Sequence, residues 1–138
     1  MRSVAVGAIA LIFSTWAAVS ALAGKTQPEK TEHPSNVALI EDENGWRYVH
    51  FPSNLRLYVF DRDSAGKSAC NSGCDGAWPP LMVAQNDQKP IGDWTIIDRY
   101  DGSRQWAYKG HPVYLRFHDS LDQPTGNGIG GVWHFLEP

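Results

Sequence analysis

The chain has 138 residues, of which 42% are apolar, with a formal net charge of −3, two cysteines and six tryptophans. This length favours a single domain over a multi-domain array. The acidic balance argues against nucleic acid as a partner, because phosphate binding needs a clear basic excess. The apolar share excludes a wholly disordered chain.

The first 23 residues have the layout of an export signal. Arg2 precedes an uncharged, almost wholly apolar run over residues 4–19, and Ala21-Leu22-Ala23 is a small-residue cleavage motif. The alternative is a membrane anchor, but this run of about 16 residues is shorter than the ~20 needed to cross a bilayer. We therefore predict a signal peptide over residues 1–23, no membrane span after its removal, and a soluble periplasmic or secreted protein. Gly24 stands where a lipoprotein would carry its lipobox cysteine, which predicts no lipid anchor.

A polar segment separates the signal from the folded part of the chain. Residues 24–36 contain two prolines and no large apolar side chain, which predicts a flexible tether. Residues 37–138 alternate short apolar runs with turn residues, so we predict a single β domain there. Helical periodicity is weak throughout, and a helical turn over residues 68–76 is the one candidate.

The predicted domain contains an internal duplication. Residues 37–82, called here the first unit, match residues 94–137, the second unit, with only two single-residue shifts along the alignment. The matched pairs are Ile40/Ile97, Gly45/Gly102, Arg47/Arg104, Tyr58/Tyr114, Asp63/Asp119, Gly73/Gly128, Gly76/Gly131, Trp78/Trp133 and Leu81/Leu136.

Each unit is predicted to be a three-stranded meander. Asn44-Gly45 and Asp101-Gly102 are two-residue hairpin signals that join the first two strands of each unit. The predicted strands cover residues 37–41, 46–51 and 55–60 in the first unit and 94–99, 104–108 and 112–117 in the second. The sequence therefore predicts a mainly β fold in which two pseudo-symmetric three-stranded meanders pack as a small sandwich or barrel.

Cys70 and Cys74 are the two cysteines of the chain. Export would place them in an oxidising compartment, where a C-x3-C pair is first interpreted as a disulfide closing one turn. A reactive dithiol or a metal-binding pair is the alternative. Neither C-x-x-C nor C-x-x-C-H occurs, so no thioredoxin-like motif and no covalent haem attachment is predicted.

The domain resembles a bacterial family of secreted repeats known as predicted lipoproteins with a Y-x-[FWY]-x-x-D motif. Tyr58, Phe60 and Asp63 match this motif in full, whereas Arg116 replaces the aromatic residue in the second unit. The resemblance extends over the whole β domain, through ACNSGCDGAWPPL and through GNGIGGVWHFL. It implies a secreted or envelope domain and carries no catalytic residues over to this chain.

We interpret the motif residues as a structural corner. A tyrosine hydroxyl bonded to a nearby carboxylate or to the main chain would hold the end of a strand, and aspartate commonly caps the turn that follows. The residues of the two corners are Tyr58, Phe60, Asp63, Tyr114 and Asp119. Ligand binding by these residues is the alternative.

The tryptophans fall into two groups. Trp78 and Trp133 correspond in the duplication and are predicted to be core residues of the repeats. Trp46, Trp94 and Trp106 have no counterpart in the duplication and form the candidate ligand face, since a cluster of them could stack on sugars or on a flat ring.

Three histidines of the second unit, His111, His118 and His134, are candidate metal ligands if they converge in space. Neutral imidazole binds transition metals and haem iron. No H-x3-H or H-E-x-x-H pattern supports such a site, so we predict no cofactor, with a transition metal or haem as the alternative.

The sequence shows no catalytic constellation. A G-x-S-x-G nucleophile elbow is missing, and no pair of catalytic carboxylates can be identified. We therefore predict an exported, non-enzymatic envelope domain that binds or scaffolds an unknown envelope or extracellular partner. The alternative is a metal- or haem-binding protein in envelope redox or metal handling.

Overall fold

A computed structural model of the protein describes residues 26–29 and 32–138. The predicted signal peptide, residues 1–23, lies outside these residues. The described chain is mainly β, as predicted, and contains β1 (Val37–Asp42), β2 (Gly45–His50), β3 (Tyr58–Phe60), β4 (Trp94–Asp98), β5 (Arg104–Tyr108), β6 (His111–Pro112), β7 (Trp133–Phe135) and one 3₁₀ turn at Ile129–Gly131. Over the described ranges, no helix has the length and apolar character needed to span a membrane.

The strands form three small antiparallel sheets. β1 pairs with β2, β4 pairs with β5 and β5 with β6, and β3 pairs with β7. The two predicted hairpins, one at the start of each unit, are therefore present. The described strands do not close into a barrel, so of the predicted architecture only the mainly β class and the small sheets are observed.

The third strand of the first unit does not complete a meander, which corrects the prediction. β3 does not pair with β2. The chain just before β3 contacts β2 through a bridge between Val49 and Arg56, and β3 itself pairs with β7 of the second unit. Tyr58 and Tyr114 exchange two backbone hydrogen bonds, each with an N···O distance of 2.9 Å. The apolar pattern marks residues 55–60 as extended, but it does not specify which strand will be their partner.

The turn of the first hairpin lies one residue earlier than predicted. Asp42 pairs with Gly45, which leaves Glu43 and Asn44 at the tip. The Asp42 carboxylate accepts hydrogen bonds from the backbone nitrogens of Asn44 and Gly45, at 2.8 and 3.1 Å. Gly45 has a φ of 124°, a value that side-chain-bearing residues rarely adopt.

The end of the predicted tether packs onto the domain. Pro34 is fully buried, and the ring of His33 meets the ring of Tyr48 edge to face. Ser35 donates from its backbone nitrogen and its hydroxyl to the Asp87 carboxylate, at 3.1 and 2.9 Å. The last residues of the predicted tether therefore have partners on the domain, through Pro34 and Ser35, which composition alone does not reveal.

Two clusters of buried side chains form the core. The hairpin cluster consists of Val37, Tyr48, Leu57, Leu81, Trp94, Trp106, Tyr108, Val113 and Leu136. The stack cluster consists of Tyr58, Cys70, Trp78, Tyr114 and Trp133. Because each cluster draws residues from both units, the two units share one core.

Candidate functional site

The stack cluster is built on two parallel indoles. The ring centroids of Trp78 and Trp133 are 3.7 Å apart, their planes differ by 3°, and both side chains are buried. Phe60 stacks on Trp133 with a centroid distance of 4.2 Å and an interplanar angle of 13°. The guanidinium carbon of Arg116 lies 4.8 Å from the centroid of Trp78. The four side chains form one aromatic column in the order Phe60, Trp133, Trp78, Arg116.

The column explains the residue that departs from the family motif. Phe60 and Arg116 hold the same motif position in the two units, and each covers one of the two central indoles. A guanidinium is planar and stacks on an indole, so it can take the place of the aromatic ring. Each end of the column therefore covers one indole, with a phenyl ring at one end and a guanidinium at the other.

The motif tyrosines and aspartates pair across the two units. The hydroxyl of Tyr58 donates to Oδ2 of Asp119. The hydroxyl of Tyr114 donates to Oδ2 of Asp63 at 2.8 Å. The sequence pointed to these side chains as corner residues, but nothing in it indicated that each tyrosine bonds the aspartate of the other unit, 61 and 51 positions away.

Each aspartate also holds the loop that follows it. Oδ1 of Asp63 accepts a hydrogen bond from the backbone nitrogen of Ala69 at 2.6 Å. Oδ1 of Asp119 accepts one from the backbone nitrogen of Thr125 at 2.9 Å. The two bonds have the same spacing along the chain, six residues, so each carboxylate links a loop of its own unit to a tyrosine of the other.

Gly126 lies against the column at a point that admits no side chain. Its backbone nitrogen donates to the hydroxyl of Tyr58 at 3.2 Å. A Cβ at this position would lie 2.6 Å from a ring carbon of Tyr58 and 2.8 Å from a ring carbon of Trp78. Gly126 is therefore a packing residue of the site, and its position in a glycine-rich segment was the one sign of this in the sequence.

Burial controls the protonation of the corner groups. Desolvation is the largest cause that raises the pKa of the Tyr58 and Tyr114 phenols. Desolvation also raises the pKa of the Asp63 carboxyl, although the hydrogen bonds from Ala69 and Tyr114 act in the opposite direction. Both phenols therefore stay protonated at neutral pH and serve as hydrogen-bond donors.

Cys70 and Cys74 form the predicted disulfide, with a Cα–Cα distance of 5.1 Å. The segment predicted to contain a short turn of helix, residues 68–76, has no assigned helix, but i→i+4 backbone bonds from Asp75 to Asn71 and from Trp78 to Cys74 form single helical turns there. The buried guanidinium of Arg99 donates to the carbonyl of Cys70 at 3.0 Å and to the Asp75 carboxylate at 3.3 Å. Arg99 thereby links the disulfide loop to the second unit. The sequence does not predict this role, because an arginine at the end of a strand is usually exposed.

The trio Trp46, Trp94 and Trp106 does not form a shared exposed face. Trp94 and Trp106 are fully buried in the hairpin cluster, and Trp46 is half-buried on β2. Trp94 and Trp106, which have no counterpart in the duplication, thus fill the core as Trp78 and Trp133 do. The candidate ligand face drawn from these three residues is therefore not built by the fold.

The three histidines occupy different surroundings. Nε2 of His134 lies 2.7 Å from Oδ2 of Asp61, whereas the exposed His118 contacts the ring of Phe117. His111 is exposed beside the cleft described next. Within residues 26–29 and 32–138, no three or more His, Cys, Asp or Glu side chains are grouped so that they could hold a metal ion.

A half-open cleft of about 430 Å³ lies beside β3. Residues of both units form it: Val59, Phe60, Asp61, Asp63, Tyr108, Lys109, His111, Leu136 and Glu137. We call it the Phe60 cleft. Its volume lies in the range typical of small-molecule sites, and it combines apolar side chains with a few charged groups, as such sites do.

The charged groups of the Phe60 cleft are partly engaged by the protein. Asp61 pairs with His134, and Oε1 of Glu137 lies 3.3 Å from Nη2 of Arg56. Nζ of Lys109 lies 4.9 Å from the ring centroid of Tyr108. Asp61 and Glu137 remain 52% and 66% exposed, so their carboxylates can accept further hydrogen bonds at the rim.

The geometry defines a small, mainly β domain in which two units share a core and border a ligand-sized cleft. Residues 95–137, most of the second unit, match the model of a family described as a secreted repeat of unknown function. This match confirms the resemblance to secreted repeats, and the family description suggests export. Neither the curated proteins nor the solved structures contain a match to the chain.

Proposed function

We propose that this protein is an exported, non-enzymatic domain that binds a small ligand in the Phe60 cleft. The carrying observation is that a ligand-sized cavity has apolar walls, which include Val59, Tyr108 and Leu136, and is rimmed by charged groups of both signs. Such a combination of apolar wall and convergent polar groups is the usual composition of a binding site. The family description and the signal-like first 23 residues support the exported location.

We further propose that the two units are pseudo-symmetric copies of one element and that the Tyr and Asp residues of the motif are structural. The reciprocal bonds of Tyr58 to Asp119 and of Tyr114 to Asp63 support this arrangement. Both oxygens of Asp63 already accept hydrogen bonds within the protein, so we assign this carboxylate to the corner and not to ligand binding. Binding is therefore assigned to the outer groups of the cleft.

The test is to block the cleft at its exposed rim and to compare it with an equivalent substitution elsewhere. His111→Trp would place an indole at the mouth of the cleft, whereas His118→Trp makes the same change at an exposed position of the same unit outside the cleft. Saturation-transfer NMR with a library of sugars, amino acids and aromatic acids should give hits that persist in His118→Trp and vanish in His111→Trp. Hits that are equally strong in both variants, or no hits at all, would contradict the proposal.

A second candidate function, transition-metal binding, is favoured by one observation. Two of the three candidate histidines flank the same cleft: His111 lines it, and His134 pairs with Asp61 of its rim. Imidazole nitrogen and carboxylate oxygen are ligands suited to Cu²⁺ and Zn²⁺. Calorimetric titration with each ion should show one equivalent bound, lost in His134→Asn and retained in His118→Asn. Binding that stays weak and non-stoichiometric in the unaltered protein would remove this candidate.

A further inference from the structure

We propose that an exposed apolar surface, formed by Phe51, Met82 and Phe117, binds the same surface of a second copy of this chain. We call this surface the Phe117 patch. The proposal rests on the pseudo-symmetry of the two units and is independent of ligand binding in the Phe60 cleft. Its support is the backbone position of the three residues, their exposure, and the difference in charge between them and their counterparts at the cleft.

Phe117 occupies the position in the second unit that Asp61 occupies in the first. The backbone nitrogen of Asp61 donates to the carbonyl of Val132 at 2.8 Å. The backbone nitrogen of Phe117 donates to the carbonyl of Ala77 at 3.0 Å. Ala77 and Val132 each precede one of the two central indoles. The two bonds are therefore equivalent, with the units exchanged.

Phe51 is the counterpart of Lys109 by the same kind of evidence. The backbone nitrogen of Lys109 donates to the carbonyl of Asp93 at 2.9 Å. The backbone nitrogen of Phe51 donates to the carbonyl of Asn36, also at 2.9 Å. Each acceptor immediately precedes the first strand of its unit. The sequence alignment would match Pro52 with Lys109, but the second hairpin has one residue more than the first, which shifts the correspondence.

Met82 is the counterpart of Glu137. Leu81 and Leu136 are a matched pair of the duplication, and the backbone nitrogen of each donates to a carbonyl of the other unit at 2.8 Å. Met82 follows the first leucine and Glu137 follows the second. Three charged residues that line the Phe60 cleft therefore correspond to the three residues of the patch: Asp61 to Phe117, Lys109 to Phe51, and Glu137 to Met82.

The three apolar residues belong to one surface. Asn36 joins two of them, because its carbonyl accepts the bond from Phe51 and its Nδ2 donates to the carbonyl of Met82 at 2.8 Å. The counterparts of all three line a single cavity, so we place Phe117 at the same surface. Phe51, Met82 and Phe117 are 53%, 43% and 67% exposed. Exposed apolar residues grouped in this way mark an interaction site.

The chemistry of the patch favours a second copy as the occupant. Phenylalanine and methionine are enriched at protein–protein interfaces, and a surface that contacts itself closes as a two-fold dimer. Docking of the patch on the Phe60 cleft of another copy would desolvate the charges of Asp61, Lys109 and Glu137. A lipid surface is disfavoured because the chain has a net charge of −3 and no patch residue is basic, whereas binding to membrane surfaces uses Lys and Arg.

The area of the patch sets the strength of the contact. With about 200 Å² for each full side chain, the exposed fractions leave roughly 300 Å² of apolar area per copy. Two facing patches cover about 600 Å² before the surrounding polar groups are counted, which is less than the ~1,200 Å² of a standard stable interface. We therefore expect a reversible dimer with a Kd on the order of 100 µM.

The experiment is sedimentation equilibrium of the full secreted chain from about 20 µM to about 1 mM, which should show a monomer–dimer equilibrium. Phe51→Lys, Met82→Glu and Phe117→Asp each introduce the charge found at the cleft and should raise the Kd about tenfold or more. Ile91→Lys, at an exposed apolar residue outside the patch, should keep the Kd within about threefold. Melting temperatures distinguish a lost contact from a lost fold.

A spin label identifies the surface that the second copy uses. Attached at His118→Cys, next to Phe117, and mixed with ¹⁵N-labelled chain, it should broaden the amide signals of Phe51 and Met82. Broadening at Lys109 and His111 instead would show that the patch docks on the cleft, which would overturn the self-contact.

Two further results would overturn the proposal. One is a dimer that is as stable in the three patch variants as in the unaltered protein. The other is a chain that stays monomeric at the highest concentration; if it also sediments with phosphatidylcholine vesicles and loses this in Phe117→Asp, the occupant is a lipid surface. Ligand hits that depend on His111 should persist in the patch variants, so the failure of either proposal leaves the other in place.

Discussion

The two units contribute alike to the shared core and differ in what they place around it. Each supplies one indole to the central pair and one tyrosine to a corner closed by the aspartate of the other. The turn before each indole is closed by the same backbone bond, from Ala77 to Cys74 in the first unit and from Val132 to Ile129 in the second. Residues that form contacts between the units tolerate few substitutions, because replacing one of them leaves its hydrogen-bonding or packing partner in the other unit unsatisfied.

The differences lie at the outward positions. In the first unit the turn carries the disulfide, whereas in the second Gly130 and Gly131 adopt positive φ values of 61° and 69°. One unit ends the column with the phenyl ring of Phe60, and the other ends it with the guanidinium of Arg116, which is bonded to Thr125. The comparison indicates that the core contacts are common to the two units, whereas the outward positions differ between them.

The strongest way to break the shared core is to remove one central indole. Trp133→Ala should lower the free energy of unfolding by ~3–5 kcal/mol, because this ring contacts Phe60, Trp78 and Tyr114 at once. Chemical denaturation measures the loss. Phe117→Ala, at a side chain that is 67% exposed, should change it by less than about 0.5 kcal/mol. A loss below about 1 kcal/mol for Trp133→Ala would mean that the units do not depend on this pair.

The crossed pairing of the corners can be measured by double-mutant cycles. Tyr58→Phe combined with Asp119→Asn should show a coupling of about 1.5–3 kcal/mol in unfolding free energy, since the bond joins a phenol to a buried carboxylate. The cycle of Tyr58→Phe with Asp63→Asn tests the pairing within one motif and should couple by less than about 0.5 kcal/mol. The reverse order of the two couplings would show that each corner closes within its own unit.

The disulfide distinguishes the first unit from the second and is expected to matter less than the shared contacts. Replacing both Cys70 and Cys74 by alanine should cost about 2 kcal/mol, because the closed ring is short. Arg99 continues to hold the carbonyl of Cys70, so the loop should keep its place in amide NMR spectra. A loss as large as that of Trp133→Ala would indicate that the disulfide also supports the core.

Alkaline pH should lower the free energy of unfolding, because the two corner tyrosines ionise in the unfolded chain before they do so in the folded one. The folded pKa values of Tyr58 and Tyr114 are raised above the ordinary value of 10.0, so their stabilisation is complete below that pH and decreases as the pH rises toward the folded values. Linkage limits the loss to about 0.8 kcal/mol per tyrosine at pH 10.5. Unfolding curves at pH 8 and pH 10.5 measure this loss of stability. In Tyr114→Phe, the difference in unfolding free energy between the two pH values should be smaller by the contribution of one tyrosine. A difference unaffected by this substitution would assign the alkaline loss to other groups.

The smallest effect is expected at the guanidinium end of the column. Arg116→Ala should cost about 0.5–1 kcal/mol for the lost cation–π contact. Arg116→Phe should stay within about 0.5 kcal/mol of the unaltered protein, because a phenyl ring can cover Trp78 as Phe60 covers Trp133. A large loss in Arg116→Phe would show that the bond to Thr125, and not the stacking, is what this residue contributes.

The sequence by itself determined the features that depend on neighbours along the chain. The first two hairpins were readable because apolar alternation and turn residues act within a few positions, and the Cys70–Cys74 disulfide was readable because the two residues are four apart. The resemblance to secreted repeats rested on local motifs as well. The signal peptide and the division into units stay predictions of the same local kind.

Only the tertiary structure decided which distant groups meet. It paired β3 with β7, joined Tyr58 to Asp119 and Tyr114 to Asp63, and buried Trp94 and Trp106 where the sequence suggested a ligand face. The physical reason is that strand pairing and burial depend on how the two units pack together. The type of a residue limits which partners it can bond, but it does not specify which of the possible partners it meets. The Phe60 cleft exists for the same reason, since its walls come from both units.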